Sequence, residues 1–173
     1  MVLSGRIVET EAYLGIPDRA AHSFGGRRTQ RTESMWLDGG HVYVYFTYGM
    51  HWLLNIVAEQ EGRPTACLIR ALEPLDGVEI MRRHRGGKVT RNRLKDTDLC
   101  SGPAKLTQAL RIDGKLDRLD LVNGKDLYLE RGKSLPEGRI VTAKRIGVAY
   151  ARQWAKKPLR FYVRDNPNVS VRK

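Results

Sequence analysis

Two glutamates stand two positions apart in a β-rich segment near the start of the chain. Because side chains two positions apart share one face of a strand, Glu9, Glu11 and Tyr13 are expected to face the same way. If that face is buried beside an aromatic ring, desolvation and like-charge repulsion disfavour ionising both carboxyls, an environment that tunes a catalytic acid or base. The alternative, which the strand alone favours, is a structural salt bridge from one of the two glutamates to an arginine.

Aromatic side chains mark a second chemically interesting segment. In a strand over residues 42–46, Tyr43 and Tyr45 share a face, and Tyr48 follows at a turn. Aromatic rings beside basic residues suit base stacking, although strand aromatics are more often core, the interpretation kept for Tyr43. An exposed Tyr48 could act as a wedge in a duplex. His22 is interpreted either as a polar lid over a pocket or as an ordinary loop residue.

The charge balance indicates the kind of partner. The 173 residues include 31 Lys and Arg against 19 Asp and Glu, a formal net charge of +12. A polyanion is the expected partner, because each phosphate neutralised by Lys or Arg releases condensed counterions. The alternative is a basic protein whose charge serves only solubility. With 41% hydrophobic and 29% charged residues, a disordered, collagen-like or coiled-coil chain is excluded.

Several functional classes lack their sequence signatures. No run approaches the ~20 apolar residues of a membrane helix, and the start has no apolar signal core. Cys67 and Cys100 form no C-x-x-C pair, so neither a zinc site nor a disulfide framework is predicted. Phosphate-loop, H-E-x-x-H and G-x-S-x-G motifs are absent, which argues against NTPases and metal nucleases. We expect no metal, no cofactor and no membrane partner, and a cytoplasmic location at the nucleoid in bacteria or a nuclear one in eukaryotes.

The patterning predicts an α+β fold, a single compact domain with a curved, mostly antiparallel β-sheet flanked by helices. Predicted strands cover residues 6–13, 42–46, 53–58, 66–72, 127–129 and 159–163. Predicted helices cover residues 76–85 and a segment through residue 110 that Ser101 could cap. Residues 18–40 are expected to form a long functional loop with one helical turn. The basic segment 82–95 is either a DNA-contacting loop or a solvated tether.

Several motifs occur together in one order along nearly the whole chain. They are RIVETEAY at 6–13, AHS at 21–23, VYVY at 42–45 with YGM at 48–50, Asn55, RALEP at 70–74, LCSGPAKL at 99–106 and KPLRFYV at 157–163. This set resembles the alkyladenine (3-methyladenine) DNA glycosylase family. Members of that family carry a further segment ahead of the matched region. The resemblance therefore implies a single DNA glycosylase domain over residues 1–173, shortened at its N-terminus.

The resemblance implies a monofunctional DNA glycosylase of base excision repair, acting as a monomer on double-stranded DNA. Such an enzyme flips 3-methyladenine, 7-methylguanine, hypoxanthine or ethenoadenine out of the duplex, hydrolyses the N-glycosidic bond with water and leaves an abasic site. The alternative is a non-catalytic DNA-binding relative with an incomplete fold. A glycosylase with lyase activity would need an activated lysine in the pocket.

Residue roles follow from the same resemblance. Glu11 is expected to be the general base, and as an ionised carboxylate it would stabilise the oxocarbenium-like sugar. Arg70 would help to position the attacking water, which the backbone carbonyl of Val148 would also contact. Tyr13, His22 and Tyr45 would form the walls against which the flipped base stacks. Asn55 would lie at the pocket floor, opposite the 2-amino group of normal guanine. The residues expected to contact DNA are Tyr48, which would enter the duplex, Met50 close by, Arg28 and Lys105.

Overall fold

Six strands organise the described part of the chain. The computed structural model describes residues 2–86 and 94–171, and within them the strands form one antiparallel sheet in the order β2-β3-β4-β1-β6-β5. The strands are β1 (Gly5–Tyr13), β2 (Val42–Thr47), β3 (His51–Val57), β4 (Ala66–Pro74), β5 (Ile140–Ala143) and β6 (Arg160–Val163). The helices are α1 (Val78–Arg85), α2 (Asp96–Leu99) and α3 (Pro103–Leu110), with 3-10 turns at Phe24–Gly26, Glu33–Trp36, Gly114–Leu116 and Ala149–Lys156.

The sheet separates the main core from the candidate site by the alternation of its side chains. On one face, Val44 and Leu54 pack with Leu106 of α3 in the largest buried cluster. The opposite face presents Tyr43 and Asn55, whose neighbours along each strand point to the core instead. Because successive side chains of a strand point to opposite faces of the sheet, the same strands contribute to both the core and the floor of a cleft.

Strand β1 lies between β4 and β6, so it is an interior strand of the sheet with a hydrogen-bonded neighbour on each edge. Its register against β4 shifts between Ile7 and Glu9 and again between Glu9 and Thr10. Such irregularities break strict alternation, and consecutive residues Val8 and Glu9 are both buried. Glu9 and Glu11 consequently reach the interior of the protein on the same strand.

The α+β expectation is confirmed, as is the mostly antiparallel sheet, but two local predictions are wrong and one strand was missed. Residues 127–129 form no strand, because the segment pairs with no neighbouring strand and leaves Tyr128 and Leu129 exposed. Strand β5, at the sheet edge, was not predicted. Helix α3 begins after Gly102, whose φ of 152° lies in a region that favours glycine, and Ser101 does not cap it.

The two predicted loops have different outcomes. Residues 18–40 are largely irregular, with two short 3-10 turns in place of one helical turn. Of the basic segment 82–95, residues 82–85 belong to α1, and residues 87–93 lie outside the described residues. No helix within 2–86 and 94–171 is long and apolar enough to cross a bilayer.

Candidate active site

A cleft of about 310 Å³ opens on the sheet face opposite α3. Strands β2, β3 and β4 supply its floor, the loop after β1 and residues 146–150 supply its sides, and Pro103 at the start of α3 reaches its edge. A volume of a few hundred Å³ is sufficient for a small aromatic ligand. The cleft brings together most of the residues singled out from the sequence.

The Glu11 carboxylate lies immediately behind the cleft wall and is fully buried. Its Oε1 accepts the backbone N–H of Ile146 at 2.7 Å and lies 3.3 Å from Nη1 of Arg70. Its Oε2 accepts the Tyr13 hydroxyl at 2.9 Å. All three partners line the cleft. A carboxylate has about four lone-pair sites, so Glu11 keeps acceptor capacity for a further donor at this wall.

Tyr13 forms one aromatic wall and is supported from behind by a buried ion pair. The guanidinium carbon of Arg145 lies 4.7 Å from the Tyr13 ring centroid. Arg145 in turn donates to both oxygens of Asp18, at 2.5 and 2.9 Å, and both side chains are fully buried. Burial and the negative charge of Glu11 raise the pKa of the Tyr13 hydroxyl. Tyr13 is therefore protonated at neutral pH and acts as a hydrogen-bond donor to Glu11.

His22 and Tyr45 form a second aromatic surface of the cleft. Their ring centroids are 4.6 Å apart with nearly perpendicular planes, and His22 Nδ1 lies 2.8 Å from the Tyr43 hydroxyl. Burial, followed by the positive charges of Arg31 and Arg27, lowers the pKa of His22 to about 4. His22 is consequently neutral at physiological pH, and a neutral ring can both donate and accept hydrogen bonds.

Tyr43 and Asn55 lie at the floor of the cleft. Tyr43 is buried in a small core cluster with Met35, which confirms the core interpretation, and it also lines the cleft. Asn55 is 3% exposed, and its side-chain amide donates to the Tyr43 carbonyl at 3.2 Å. This hydrogen bond fixes the amide of Asn55 against the floor.

The hairpin between β2 and β3 projects two apolar side chains from the mouth of the cleft. Tyr48 has a φ of 51° and Gly49 one of 65°, the two positive angles of the tight turn that suits antiparallel strands. Tyr48 is 84% exposed and Met50 68%. Tyr48 also lines the cleft, whereas Met50 borders a separate groove of about 270 Å³ beside Trp52.

The three remaining predicted site residues, Val148, Lys105 and Arg28, lie in different parts of the structure. Val148 is buried and lines the cleft. Lys105 lies in the first turn of α3 and does not line the cleft, and its Nζ lies 3.3 Å from Ser101 Oγ. Arg28 does not line the cleft: it is exposed and forms a two-point ion pair with Glu33.

Sequence reasoning missed several residues that shape the cleft, among them Arg31, Tyr150, Asp18 and Arg145. Arg31 lies with its guanidinium carbon 5.0 Å from the Tyr45 ring centroid, and Tyr150 lines the cleft while remaining 66% exposed. Asp18 and Arg145 support it from behind. Arg31 and Arg145 lie near other basic residues in the sequence, so nothing local marks either as part of a pocket. Among the described residues, no three or more His, Cys, Asp and Glu side chains are grouped to hold a metal ion.

Comparisons with known proteins agree with the motifs. A family model described as methylpurine-DNA glycosylase (MPG) matches residues 1–167. The human DNA-3-methyladenine glycosylase is 53% identical over 98% of this chain and 57% of its own length, and the mouse protein of that name is 51% identical over 98% and 52%. A Clostridium acetobutylicum protein with the provisional name 3-methyladenine DNA glycosylase is 47% identical over 98% and 83%. The chain thus spans about half the length of the two mammalian relatives.

Proposed function

This chain belongs to the methylpurine-DNA glycosylase family, and we propose that it removes damaged purines from double-stranded DNA in base excision repair. The proposed substrates are 3-methyladenine, 7-methylguanine, hypoxanthine and ethenoadenine. The observation that carries the proposal is the buried Glu11 carboxylate, held by three residues that all line one aromatic cleft. The proposed acting form is a monomer.

The shape of the cleft supports recognition of a flipped base. A purine inside a duplex cannot present its glycosidic bond to a pocket, so the nucleotide must leave the stack at a cost of a few kcal/mol. The rings of Tyr13, His22 and Tyr45 offer faces and edges for stacking. An alkylated purine carries a positive charge, and a cation is attracted to the face of a tyrosine ring. These contacts offset the cost of unstacking.

The proposed reaction is a hydrolysis at the sugar. The bond from C1′ to the purine nitrogen breaks, its electron pair leaves with the base, and the water oxygen bonds to C1′ while its proton passes to Glu11. The ionised carboxylate also stabilises the positive charge that develops on the sugar. An alkylated purine leaves as a neutral base, whereas a neutral lesion must gain a proton as it departs. Arg70 and Val148 both line the cleft, and the Arg70 guanidinium and the Val148 carbonyl are assigned to positioning the water.

Selectivity and DNA engagement are assigned to the rim and floor. Asn55, fixed by its bond to the Tyr43 carbonyl, faces the position of the 2-amino group and disfavours normal guanine. Tyr48, exposed on the hairpin, enters the space that the flipped nucleotide leaves, with Met50 close by. Arg28 and Lys105 add contacts to phosphates, in keeping with the net charge of +12.

The test is a single-turnover incubation of the protein with duplexes that each contain one of the four lesions. Released base is identified by chromatography, abasic sites are revealed by alkaline cleavage, and an undamaged duplex is the control. We expect free base and alkali-sensitive sites from at least one lesion duplex and none from the control. Salt-sensitive DNA binding by folded protein without released base would contradict the proposal, and strand breakage without alkali would contradict a monofunctional enzyme.

A further inference from the structure

A second buried carboxylate, Glu9, lies beside Glu11 and has no part in the reaction as proposed. Glu9 is 1% exposed. Its Oε1 accepts Nε of Arg70 and Oγ of Ser170, each at 2.9 Å, and its Oε2 accepts the backbone N–H of Ser170 at 2.6 Å. The guanidinium of Arg160 completes the surroundings, with Nε 2.9 Å from Oε1. These contacts fix the position and orientation of the Glu9 carboxylate.

Arg70 connects this carboxylate to the candidate site. Its Nε is bound by Glu9, its Nη1 lies 3.3 Å from Oε1 of Glu11, and its Nη2 donates to Ser170 Oγ at 3.3 Å. The Arg70 side chain is only 8% exposed, but it lines the cleft. A guanidinium is planar and rigid, so a partner that fixes Nε also fixes the direction of both terminal nitrogens. Glu9 therefore determines which edge of Arg70 faces Glu11.

We propose that Glu9 is a positioning residue for Arg70, an inference that rests on the proposed function. Arginine and carboxylate readily form a two-point pair through parallel N–H bonds. Held by Glu9, Arg70 contacts Glu11 through Nη1 alone. Without Glu9 the guanidinium is free to turn and engage both oxygens of Glu11, the atoms that must accept the proton of water. Glu9 thus leaves acceptor capacity on Glu11 for the proton of water and keeps Arg70 directed at the water.

A double-mutant cycle tests whether Glu9 acts through Arg70. The variants are Glu9→Gln, Arg70→Met and the double variant, each measured for the single-turnover base-release rate at saturating enzyme and for affinity for lesion DNA. We expect Glu9→Gln to lower the rate by about tenfold or more with affinity changed less than about threefold, and to cause no further loss in the Arg70→Met background. Equal fractional losses in both backgrounds would overturn the proposal, because an independent structural effect is additive.

Two further variants keep this test interpretable. Glu73→Gln removes a carboxylate from the neighbouring strand β4, where Glu73 pairs with Arg6 at 3.6 Å near the surface, and its base-release rate should match wild type. Glu9→Asp retains the charge on a shorter side chain and replaces Glu9→Gln if the latter does not fold. A loss with Glu73→Gln as large as that with Glu9→Gln would contradict a specific role for Glu9.

A readout independent of catalysis separates this inference from the proposed function. The Hε proton of Arg70, bonded to buried Glu9, should exchange slowly with water and give a distinct arginine side-chain signal in ¹⁵N-correlated NMR. We expect that signal in the wild type and in Glu73→Gln, and its loss in Glu9→Gln. An Arg70 signal equally protected in Glu9→Gln would overturn the inference. Failure of the wild type to release any base would instead overturn the proposed function.

Discussion

Replacement of His22 by glutamine should change how folding stability depends on pH. His22 lies with Nδ1 2.8 Å from the Tyr43 hydroxyl, and burial followed by the charges of Arg31 and Arg27 lowers its pKa from 6.5 to about 4. Between these two values the unfolded chain binds a proton at this histidine that the folded chain does not. Because the unfolded chain takes up this proton and the folded chain does not, the free energy of unfolding falls as the pH is lowered through this window.

The size of the effect follows from the two pKa values of His22. One pKa unit corresponds to about 1.4 kcal/mol, so a folded-state pKa of about 4 against 6.5 unfolded costs about 2 kcal/mol at pH ~5 and approaches about 3 kcal/mol at still lower pH. Glutamine does not titrate, so His22→Gln lacks this contribution. Other carboxyl and histidine groups contribute to both proteins alike and cancel in the comparison.

Urea unfolding of wild type and His22→Gln near pH 7.5 and pH ~5 measures this difference. On acidification, the wild type should lose about 2 kcal/mol more of its free energy of unfolding than the variant. A loss that is the same in the two proteins within about 0.5 kcal/mol would refute the reasoning, because His22 would then titrate alike in the folded and unfolded chains.

Three further substitutions test the buried ion pair behind the cleft, the exposed hairpin and the main core. Asp18→Asn should lower the free energy of unfolding by about 3–5 kcal/mol, because it leaves the buried Arg145 charge without its partner. In urea unfolding, the double variant Asp18→Asn with Arg145→Met should recover part of this loss. No recovery would contradict the pairing. Tyr48→Asn should raise the free energy of unfolding by up to about 1 kcal/mol, because Asn tolerates the φ of 51°. The same substitution should weaken lesion-DNA binding. Unchanged affinity in a fluorescence titration would count against Tyr48 as a wedge in the duplex. Leu106→Ala should cost about 2–5 kcal/mol through a cavity in the main core, and a loss below about 1 kcal/mol would argue against that packing.

The sequence predicted the parts of the fold that depend on local pattern. Alternation places β1 through β4 within a few residues of their observed bounds, and it puts Tyr43 and Tyr45 on one face of β2, where both line the cleft. The expectation of a salt bridge from Glu9 or Glu11 is also confirmed, because Arg70 contacts both carboxylates. These features follow from residue type and spacing alone.

Long-range and edge features could not be predicted in this way. Asp18 and Arg145 are separated by 127 positions. The sequence around either residue therefore does not indicate that the two form an ion pair. Strand β5 is short and half-exposed, so its hydrophobic pattern is weak, and its pairing with β6 fixes it. Residues 127–129 carry a stronger β pattern but have no strand beside them. Tertiary context overrides propensity in both cases.

The most direct test of the central claim compares Glu11→Gln with wild type on one hypoxanthine duplex. Single-turnover base release and lesion-DNA affinity are measured together, with thermal unfolding as a check of folding. If Glu11 is the general base, base release should fall by about 100-fold or more while affinity stays within about threefold. Base release near the wild-type rate, or affinity lost in step with activity by a folded variant, would contradict that role.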